Sequence, residues 1–379
     1  MSHTGISKRR FTGLVAAVGG LLLAALAGSV AAASGRPDAR SAAAAGVPEA
    51  QAIVAAAVKR PTSVGLTKKI GKPIPKGKKV FFISCGAQAC TLQGDIIKQG
   101  AADLGWKATS INTDGSPQQE QAAFETALRQ GANAIILNAL TPSALSKQIA
   151  EAKAKGVLFV TCCSLAQMGT DVLFNTSTSP QNIPIGKYLA AYTVADSGGK
   201  ANVLYVDISI FQILTTLASS FKDELQSLCP SCGYASIDTP LSALGSPTVT
   251  TNIVSYLRAH PNTNYVVLSV QSALAAGLPA ALNAAGLGNV KIIGQGPGPA
   301  DFAAFKSGDE AAGVPFDYYV VDYLMLDALA RKWAGVPIPQ TAPPHWLATG
   351  LNTTPILTQK VAPIVLGYRS QFLKLWGKK

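Results

Sequence analysis

Short apolar segments alternate with amphipathic segments along most of the chain, with a step of about 25 residues from residue 78 onward. Each apolar segment is rich in β-branched and large side chains, and a Gly, Ser or Pro turn separates it from a stretch with helical periodicity. This alternation is typical of βαβ units. The predicted strands cover residues 78–84, 107–112, 134–140, 157–163, 172–176, 201–207, 234–238, 264–270, 290–294 and 311–316. Because these strands are apolar at most positions, we expect parallel sheets that are buried on both faces.

A hydroxyl residue followed by proline marks the start of several predicted helices. The hydroxyl can accept a hydrogen bond from a free backbone N–H, and proline in the first turn lacks only an N–H that would have no partner. The pairs are Ser116-Pro117, Thr141-Pro142, Ser179-Pro180 and Ser246-Pro247. Gln119 lies three residues after Ser116, which is the spacing of a capping box.

About five of these units precede residue 178 and about five follow it, which predicts an α/β protein with two doubly wound parallel-sheet lobes. In open parallel sheets, ligands bind outside the carboxyl ends of the strands. Two lobes that face each other would form a ligand cleft at those ends.

The first 33 residues have the features of a signal peptide. Basic residues at 8–10 precede an apolar run at 11–26, and small residues at 31–33 resemble a signal-peptide cleavage site. We therefore expect export, with cleavage before Ser34; a membrane anchor is the alternative for this segment. No lipid attachment is expected, because Ser29 stands where a lipoprotein would have cysteine.

Residues 7–11 read SKRRF and resemble a twin-arginine signal with lysine in place of the first arginine, so either export route remains open. The next segment, 34–60, is Ala-rich and predicts one short helix. Residues 61–77 are rich in Pro, Gly and Lys and predict a linker.

The formal net charge is +12, and it falls to +9 without the three basic residues of the signal segment. The densest basic run, 68–79, holds six lysines but no aromatic residue for base stacking. Nucleic-acid binding is the alternative for this run. Export and the lack of a groove-binding motif favour a solvated linker, so no nucleic-acid partner is expected.

The candidate enzyme motifs do not meet their structural requirements. Residues 65–73 have five residues between their glycines and a proline where a P-loop needs Ser or Thr. Residues 294–299 follow a strand and imitate a dinucleotide fingerprint, but they end in proline and lie late in the fold. Outside the signal the histidines are His260 and His345, which supply little for catalysis or metal binding. We therefore expect no enzyme activity, no cofactor and no metal.

Six cysteines in an exported chain favour disulfides. Cys229 and Cys232 form a C-x-x-C motif at a helix exit, whereas a redox dithiol needs a helix N-terminus to lower its pKa, so a structural disulfide is expected. Cys85 and Cys90 flank a short loop that a second bridge could close. Cys162 and Cys163 end the fourth strand. Redox chemistry, a disulfide, a ligand lining and a soft-metal site shared with Cys85 and Cys90 are the alternatives for this pair; we expect a ligand lining.

Residues 78–345 resemble the type I periplasmic sugar-binding proteins, the ribose-binding kind that serve ABC importers. The resemblance rests on KKVFFIS, TDGSPQQEQAAFETALRQGANAIILNAL, EAKAKGVLFVTCCS, YVVLSVQSALAAGLPAALNAAG and VKIIGQGPG. It implies a monomer that binds a small molecule and delivers it to a membrane permease with its ATPase. It also implies three crossovers, near Thr176, Phe316 and His345. The first lobe would then comprise 78–177 and 317–345, and the second 178–316 and 346–379.

The chain departs from this family where family members clamp sugar hydroxyls. Cys163-Ser164 replaces an Asp-Arg pair, Val270-Gln271 an Asn-Asp pair, and Gln295 stands for the Asp of a later Gly-x-Asp. Leu217 falls near a family arginine, and Phe316 near a hinge glutamine. These differences predict a ligand less polar than a simple sugar. The expected ligand-binding residues are Cys85, Gln88, Asn138, Cys163, Ser164, Phe211, Gln271, Gln295 and Phe316. The alternatives are a secreted thiol-dependent enzyme, or a sugar-binding or sensory receptor of the same fold.

Overall fold

A computed structural model describes residues 39–84, 88–138, 142–166, 168–169, 171–176, 179–353 and 363–378. The expected signal segment, 1–33, lies outside these residues. Within them, no helix combines the length and the apolar character needed to cross a bilayer.

The first lobe is built on a five-stranded parallel sheet in the order β2-β1-β3-β4-β5. Its strands are β1 Lys79–Ser84, β2 Lys107–Asn112, β3 Ala134–Asn138, β4 Leu158–Cys162 and β5 Phe174–Asn175. Its helices are α2 Gln88–Leu104, α3 Pro117–Arg129, α4 Ser146–Ala154, α11 Tyr318–Ala334 and α12 Tyr368–Leu375. Helices α2, α11 and α12 cover one face of the sheet, and α3 and α4 cover the other.

The second lobe contains a six-stranded sheet in the order β11-β10-β9-β8-β6-β7. Its strands are β6 Asn202–Asp207, β7 Gly233–Asp238, β8 Tyr265–Leu268, β9 Lys291–Gln295, β10 Ala312–Val314 and β11 Ala348–Thr349. The helices of this lobe are α1 Ala39–Ala57, α5 Ser179–Ser197, α6 Gln212–Leu228, α7 Pro247–Ala259, α8 Gln271–Leu274, α9 Leu278–Ala284 and α10 Pro299–Ser307. All neighbouring strands run parallel except β11, which is antiparallel to β10.

The predicted fold class is confirmed: two parallel-sheet lobes form, and all ten predicted strands are present. Their uniform apolar character follows from burial, since most positions in the central strands are covered on both faces. The added strand β11 was not predicted, because two residues carry no detectable periodicity.

Two of the predicted helix starts are seen in full. Ser116 Oγ accepts from the backbone N–H of Gln119 at 3.4 Å, and Ser246 Oγ accepts from that of Thr248 at 3.3 Å. The expected return bond of the capping box is displaced, because the Gln119 side chain accepts from the backbone of Asp114 instead. Thr141 lies outside the described residues.

The chain leaves the first lobe after β5, enters it again at α11 and leaves it before β11. The chain also crosses from the second lobe to the first at two further points, between α1 and buried Val64 and between β11 and α12. The expected linker, 61–77, therefore buries Val64, Leu66 and Ile70 in the first lobe.

The assignment of 346–379 to the second lobe is corrected for its final helix. Phe372, Leu375 and Trp376 pack into the core of the first lobe beside α11, and the Trp376 indole donates to buried Asp327 at 2.9 Å. The physical reason is that α12 has an apolar stripe that completes the α2 and α11 layer.

Candidate functional site

The carboxyl ends of β3 and β4 lie side by side, and Asn138 and Cys162 are direct register partners there. Both are buried, with 1% and 0% of their surface exposed. Neither amide atom of Asn138 has a hydrogen-bond partner in the part of the chain that the structure describes. A buried amide without partners costs about 1–3 kcal/mol per group, so this position favours a ligand that supplies the missing bonds.

Cys162 faces the layer formed by α2 and α11. Its Sγ lies 3.6 Å from Gln93 Nε2, which also donates to Asp322 Oδ1 at 3.0 Å. Burial raises the pKa of the Cys162 thiol and of the Asp322 carboxyl well above their ordinary values. The Cys162 thiol is therefore protonated at pH 7 and is a poor nucleophile.

Cys163 directly follows the last residue of β4 and is half-buried. Its backbone has a φ of 59°, in the left-handed region that residues other than glycine rarely adopt. Phe316 and Tyr318, which flank the start of α11, pack against the same core cluster, and their ring centroids are 4.9 Å apart. We call Cys163, Phe316 and Tyr318 the first-lobe wall.

The first-lobe wall is weakly polar, and the Tyr318 hydroxyl is its main polar group. Burial raises the pKa of Tyr318, and the neighbouring cysteines and Asp322 raise it further. The phenol is therefore neutral at physiological pH and can donate or accept a hydrogen bond.

Ser164 turns away from the wall into the lobe. Its carbonyl oxygen accepts from Asn175 Nδ2 at 3.0 Å, and its hydroxyl accepts from the backbone N–H of Ala166 at 3.4 Å. This arrangement closes the turn after β4 and leaves Ser164 only 3% exposed. Thr176, also fully buried, ends the run of β5, and its hydroxyl lacks a partner within the described ranges.

The second sheet brings Phe211 and Gln295 to its carboxyl edge, where both are half-buried. Phe211 precedes α6, and Gln295 is the last residue of β9. Asp207 ends β6; burial is the main cause that raises the pKa of its carboxyl, which accepts from the backbone N–H of Ile208 at 2.8 Å.

Gln271 occupies a different environment from the one expected. It is 0% exposed, and its Nε2 donates to Glu310 Oε2 at 2.6 Å and to the carbonyl of Ala312 at 3.3 Å. Burial, reinforced by nearby Asp301, raises the pKa of Glu310 to about 8. The Gln271 amide nitrogen therefore joins α8 to the residues around β10, whereas its Oε1 has no partner among the described residues.

Two expected residues receive no side-chain description. Cys85 lies outside the described residues, and Gln88 is seen only as the first residue of α2, at the carboxyl end of β1. Cys90 is buried nearby, so a bridge between Cys85 and Cys90 stays a prediction. No group of three or more His, Cys, Asp or Glu side chains within the described ranges is placed to hold a metal ion.

Cys229 and Cys232 lie at the opposite, amino edge of the second sheet, just before β7. Their sulfur atoms are 2.12 Å apart and their Cα atoms 5.4 Å apart. This placement separates the pair from the carboxyl ends of the strands, where Phe211 and Gln295 lie. Oxidation of the pair in the native protein stays a prediction.

Sequence reasoning missed Tyr318, Asp322, Asn175 and Thr176. Tyr318 had a usable signal, since it lies two residues beyond Phe316 at a predicted crossover. Asn175 and Thr176 are polar residues at the carboxyl end of an apolar strand. A search of the sequence for polar residues at predicted strand ends would have identified them. Asp322 lies in the middle of a helix, and the sequence does not show which of its faces meets Cys162.

Arginine is absent from every loop that follows a predicted strand, as the sequence shows directly. Arginine provides the planar, bidentate donor set that proteins use to bind polar oxygen atoms. Among the residues described above, the carboxyl edges of the two sheets present amides, hydroxyls, a phenol, the Asp207 carboxyl and apolar surface.

Residues 86–336 match the family described as "Periplasmic binding protein domain". Since this match covers more than half of the chain, the protein belongs to the periplasmic binding protein family. Its two lobes are those of the type I members. Among curated proteins, no sequence matches the chain.

Several solved structures share this fold. An ABC transporter solute binding protein from Mycobacterium smegmatis with bound glycerol is 17% identical, with a TM-score of 0.66 over 76% of this chain and 99% of its own. A 5-methylthioribose transporter solute binding protein from Thermotoga lettingae, in complex with 5-methylthioribose, is 20% identical, with a TM-score of 0.65 over 81% and 99%. The Caulobacter myo-inositol binding protein bound to myo-inositol is 20% identical, with a TM-score of 0.64 over 77% and 98%.

Proposed function

We propose that this protein is an extracytoplasmic receptor of an ABC-type importer and that it closes around a small solute with at least one apolar face. The family and the fold support a solute receptor. One observation supports the apolar preference: Cys163, Phe316 and Tyr318, which form the weakly polar first-lobe wall, pack against one core cluster. The resemblance described above implies a charged sugar clamp at Cys163-Ser164, and this chain has no charged residue there.

The energetic argument compares two kinds of solute. A polyol held against this wall would bury hydroxyls without partners, at about 1–3 kcal/mol each. An apolar face on the same wall would gain about 25 cal/mol for each Å² of apolar surface removed from water. Asn138 and Thr176 have buried polar atoms without partners among the described residues, so the proposed solute carries a few polar groups as well.

The alternative of a thiol-dependent enzyme receives less support. Burial keeps the Cys162 thiol protonated, and its polar neighbours are Cys163 at 2.6 Å and Gln93 at 3.6 Å, which also donates to Asp322, rather than a histidine. A thiol nucleophile needs an adjacent base or a lowered pKa. Delivery to a permease with its ATPase, action as a monomer and a cleaved signal peptide are parts of the proposal that follow from the family and the sequence.

A thermal-shift screen of the exported protein tests this proposal. The panel contains ribose, glucose, myo-inositol, glycerol, 5-methylthioribose, aromatic acids, amino-acid derivatives and sterol-like compounds. We expect a saturable rise in melting temperature with a solute that carries both an apolar face and polar groups. The Phe316→Ala variant should lose that shift, whereas Phe302→Ala, on the buried face of α10, should lower the melting temperature but keep the shift.

Tight binding of a plain pentose or hexose would contradict the apolar preference and leave the receptor assignment intact. Consumption of any hit by the protein would contradict the receptor assignment itself.

A further inference from the structure

Cys162 and Cys163 hold their sulfur atoms 2.6 Å apart. Non-bonded contacts lie at about 3.5–4.0 Å even between carbon atoms, and a covalent S–S bond at about 2.03–2.05 Å. Both cysteines lack a disulfide to any other residue. The pair is therefore closer than two separate thiols would pack.

The backbone explains how adjacent side chains meet. Successive residues of a strand point to opposite faces, so neighbouring cysteines in a regular strand hold their sulfur atoms apart. Here β4 ends at Cys162, and the φ of 59° at Cys163 turns the second side chain back toward the first. A non-glycine residue in this region is strained and persists only where other interactions enforce it.

Cys162 is packed in the core of the lobe, whereas Cys163 is partly exposed to solvent. Cys162 is 0% exposed and lies beside Gln93, whereas Cys163 is half-buried in the first-lobe wall with Phe316 and Tyr318. A bridge between the two would place one sulfur in the core and the other at the cleft edge.

We propose that Cys162 and Cys163 are oxidised to each other in the exported protein, and that this vicinal disulfide forms part of the ligand-contacting first-lobe wall. The oxidation stands on the geometry and on export to an oxidising compartment, while the ligand contact rests on the proposed function. A bridge without thiol hydrogens adds an apolar surface at a position where a family member would place charge.

The chemistry balances by thiol–disulfide exchange with a protein or small-molecule disulfide of the oxidising compartment. The thiolate of accessible Cys163 attacks that disulfide, which forms a mixed disulfide and releases one thiol. Cys162, as it loses its proton, then attacks the Cys163 sulfur, forms the internal S–S bond and releases the second thiol. The two electrons and two hydrogens of the cysteines end on the acceptor.

Adjacent Cα atoms are about 3.8 Å apart, below the range of about 4.4–6.8 Å that disulfides ordinarily span. A bridge between neighbours is for this reason more easily reduced than one across a longer loop. We expect mild reductant to open Cys162–Cys163 before it opens a bridge between Cys229 and Cys232.

Peptide mapping of the exported protein, alkylated under denaturing conditions without reductant, tests the oxidation directly. Trypsin releases residues 156–187, a peptide that contains both cysteines and no other. We expect this peptide to be unalkylated and two hydrogens lighter than its reduced form. The double variant Cys229→Ser, Cys232→Ser is the matched control and should leave this peptide unchanged.

Two alkyl groups on peptide 156–187, or a crosslink from it to the peptide that contains Cys85 and Cys90, would overturn the proposal. The ligand contact has a separate readout. With a solute identified, the variant Cys162→Ala, Cys163→Ala should weaken binding about four- to fifteenfold, as expected for lost apolar contact of one or two methylene groups. Unchanged affinity in a folded variant would overturn the ligand contact and leave the disulfide standing. A screen that finds no solute bears on the proposed function and does not change the peptide map.

Discussion

Asp317 accepts a hydrogen bond from the backbone N–H of Ile364 at 2.9 Å, and this bond joins the crossover into α11 to the crossover that leads to α12. The same carboxyl accepts from the backbone N–H of Val320 at 3.1 Å and that of Val365 at 3.2 Å. Arg60 completes the junction, because its guanidinium donates to the carbonyls of Pro363 and Ile364 at 2.6 and 2.8 Å. One buried carboxyl thus organises the region through which the lobes are connected.

The Asp317→Ala variant should lose at least about 3 kcal/mol of unfolding free energy. It removes the N-cap of α11, which is worth about 1 kcal/mol, and leaves two further buried N–H groups unpaired at about 1–3 kcal/mol each. Urea unfolding measures the change. The exposed Asp223→Ala is the control and should stay within about 0.5 kcal/mol of the parent. A loss no larger than that of the control would show that the junction does not depend on this carboxyl.

A pH-dependent effect is expected at Glu120, in the first turn of α3. This residue is 1% exposed, and its Oε2 lacks a partner among the described residues. Burial, together with the charge of Asp114, raises its pKa from 4.5 to about 8. Because the folded protein binds this proton more tightly than the unfolded chain, its contribution to stability is lost as the pH rises from 4.5 through 8.

The Glu120→Gln variant should therefore match the parent near pH 4.5 and gain stability relative to it as the pH approaches 8.5. Melting temperatures measured across this range test the expectation. Glu49→Gln, at an exposed position of α1, is the control for the chemical change from Glu to Gln. A Glu120→Gln difference that is flat or of opposite slope would contradict the burial argument.

Asn138 and Gln271 should have different roles: we expect Asn138 to contribute to solute binding and Gln271 to contribute to stability. Asn138→Ala removes a buried amide without partners, so we expect weaker solute binding and little loss of stability. Gln271→Ala removes the partner of Glu310, so we expect about 1–3 kcal/mol of lost stability and unchanged affinity. Calorimetric titration and urea unfolding of both variants provide the comparison. The reverse pattern would return Gln271 to the ligand site and remove Asn138 from it.

The tryptic map also tests the second cysteine pair. Residues 223–258 form one peptide that contains Cys229 and Cys232 alone. We expect it to resist alkylation until reductant is added. Replacing both by serine should cost less than the roughly 3 kcal/mol of a 15-residue loop, because so short a ring restricts the unfolded chain little. Free alkylation without reductant would contradict the bridge.

The strands could be predicted because their apolar runs come directly from burial in parallel sheets, as the fully buried β3 and β8 show. The sheet ends followed from the same reasoning, so Asn138 and Cys163 could be assigned to a cleft edge. The lobe of α12 could not be predicted, since its few apolar side chains match either layer until the tertiary structure is known.

The direction of individual side chains was the main limit at the site. Gln271 lies just after a strand, and Asn138 is the last residue of one. The Gln271 side chain nevertheless donates to Glu310, and the local sequence does not indicate a partner so far along the chain. Tyr318 reaches the first-lobe wall from a helix that follows a crossover, so its role depends on the path of the chain between lobes. The left-handed backbone conformation of Cys163 could likewise not be predicted from the residues VTCCS.

Calorimetric titration of the best thermal-shift solute into the parent and into Phe316→Ala tests the proposed function most directly. We predict one saturable site in the parent, with a negative heat-capacity change that reports buried apolar surface, and no chemical change in the recovered solute. Phe316→Ala should bind more weakly and with a smaller heat-capacity change. Equal affinity and an equal heat-capacity change in a folded Phe316→Ala, or recovery of a converted solute, would contradict a receptor that binds its ligand through the first-lobe wall.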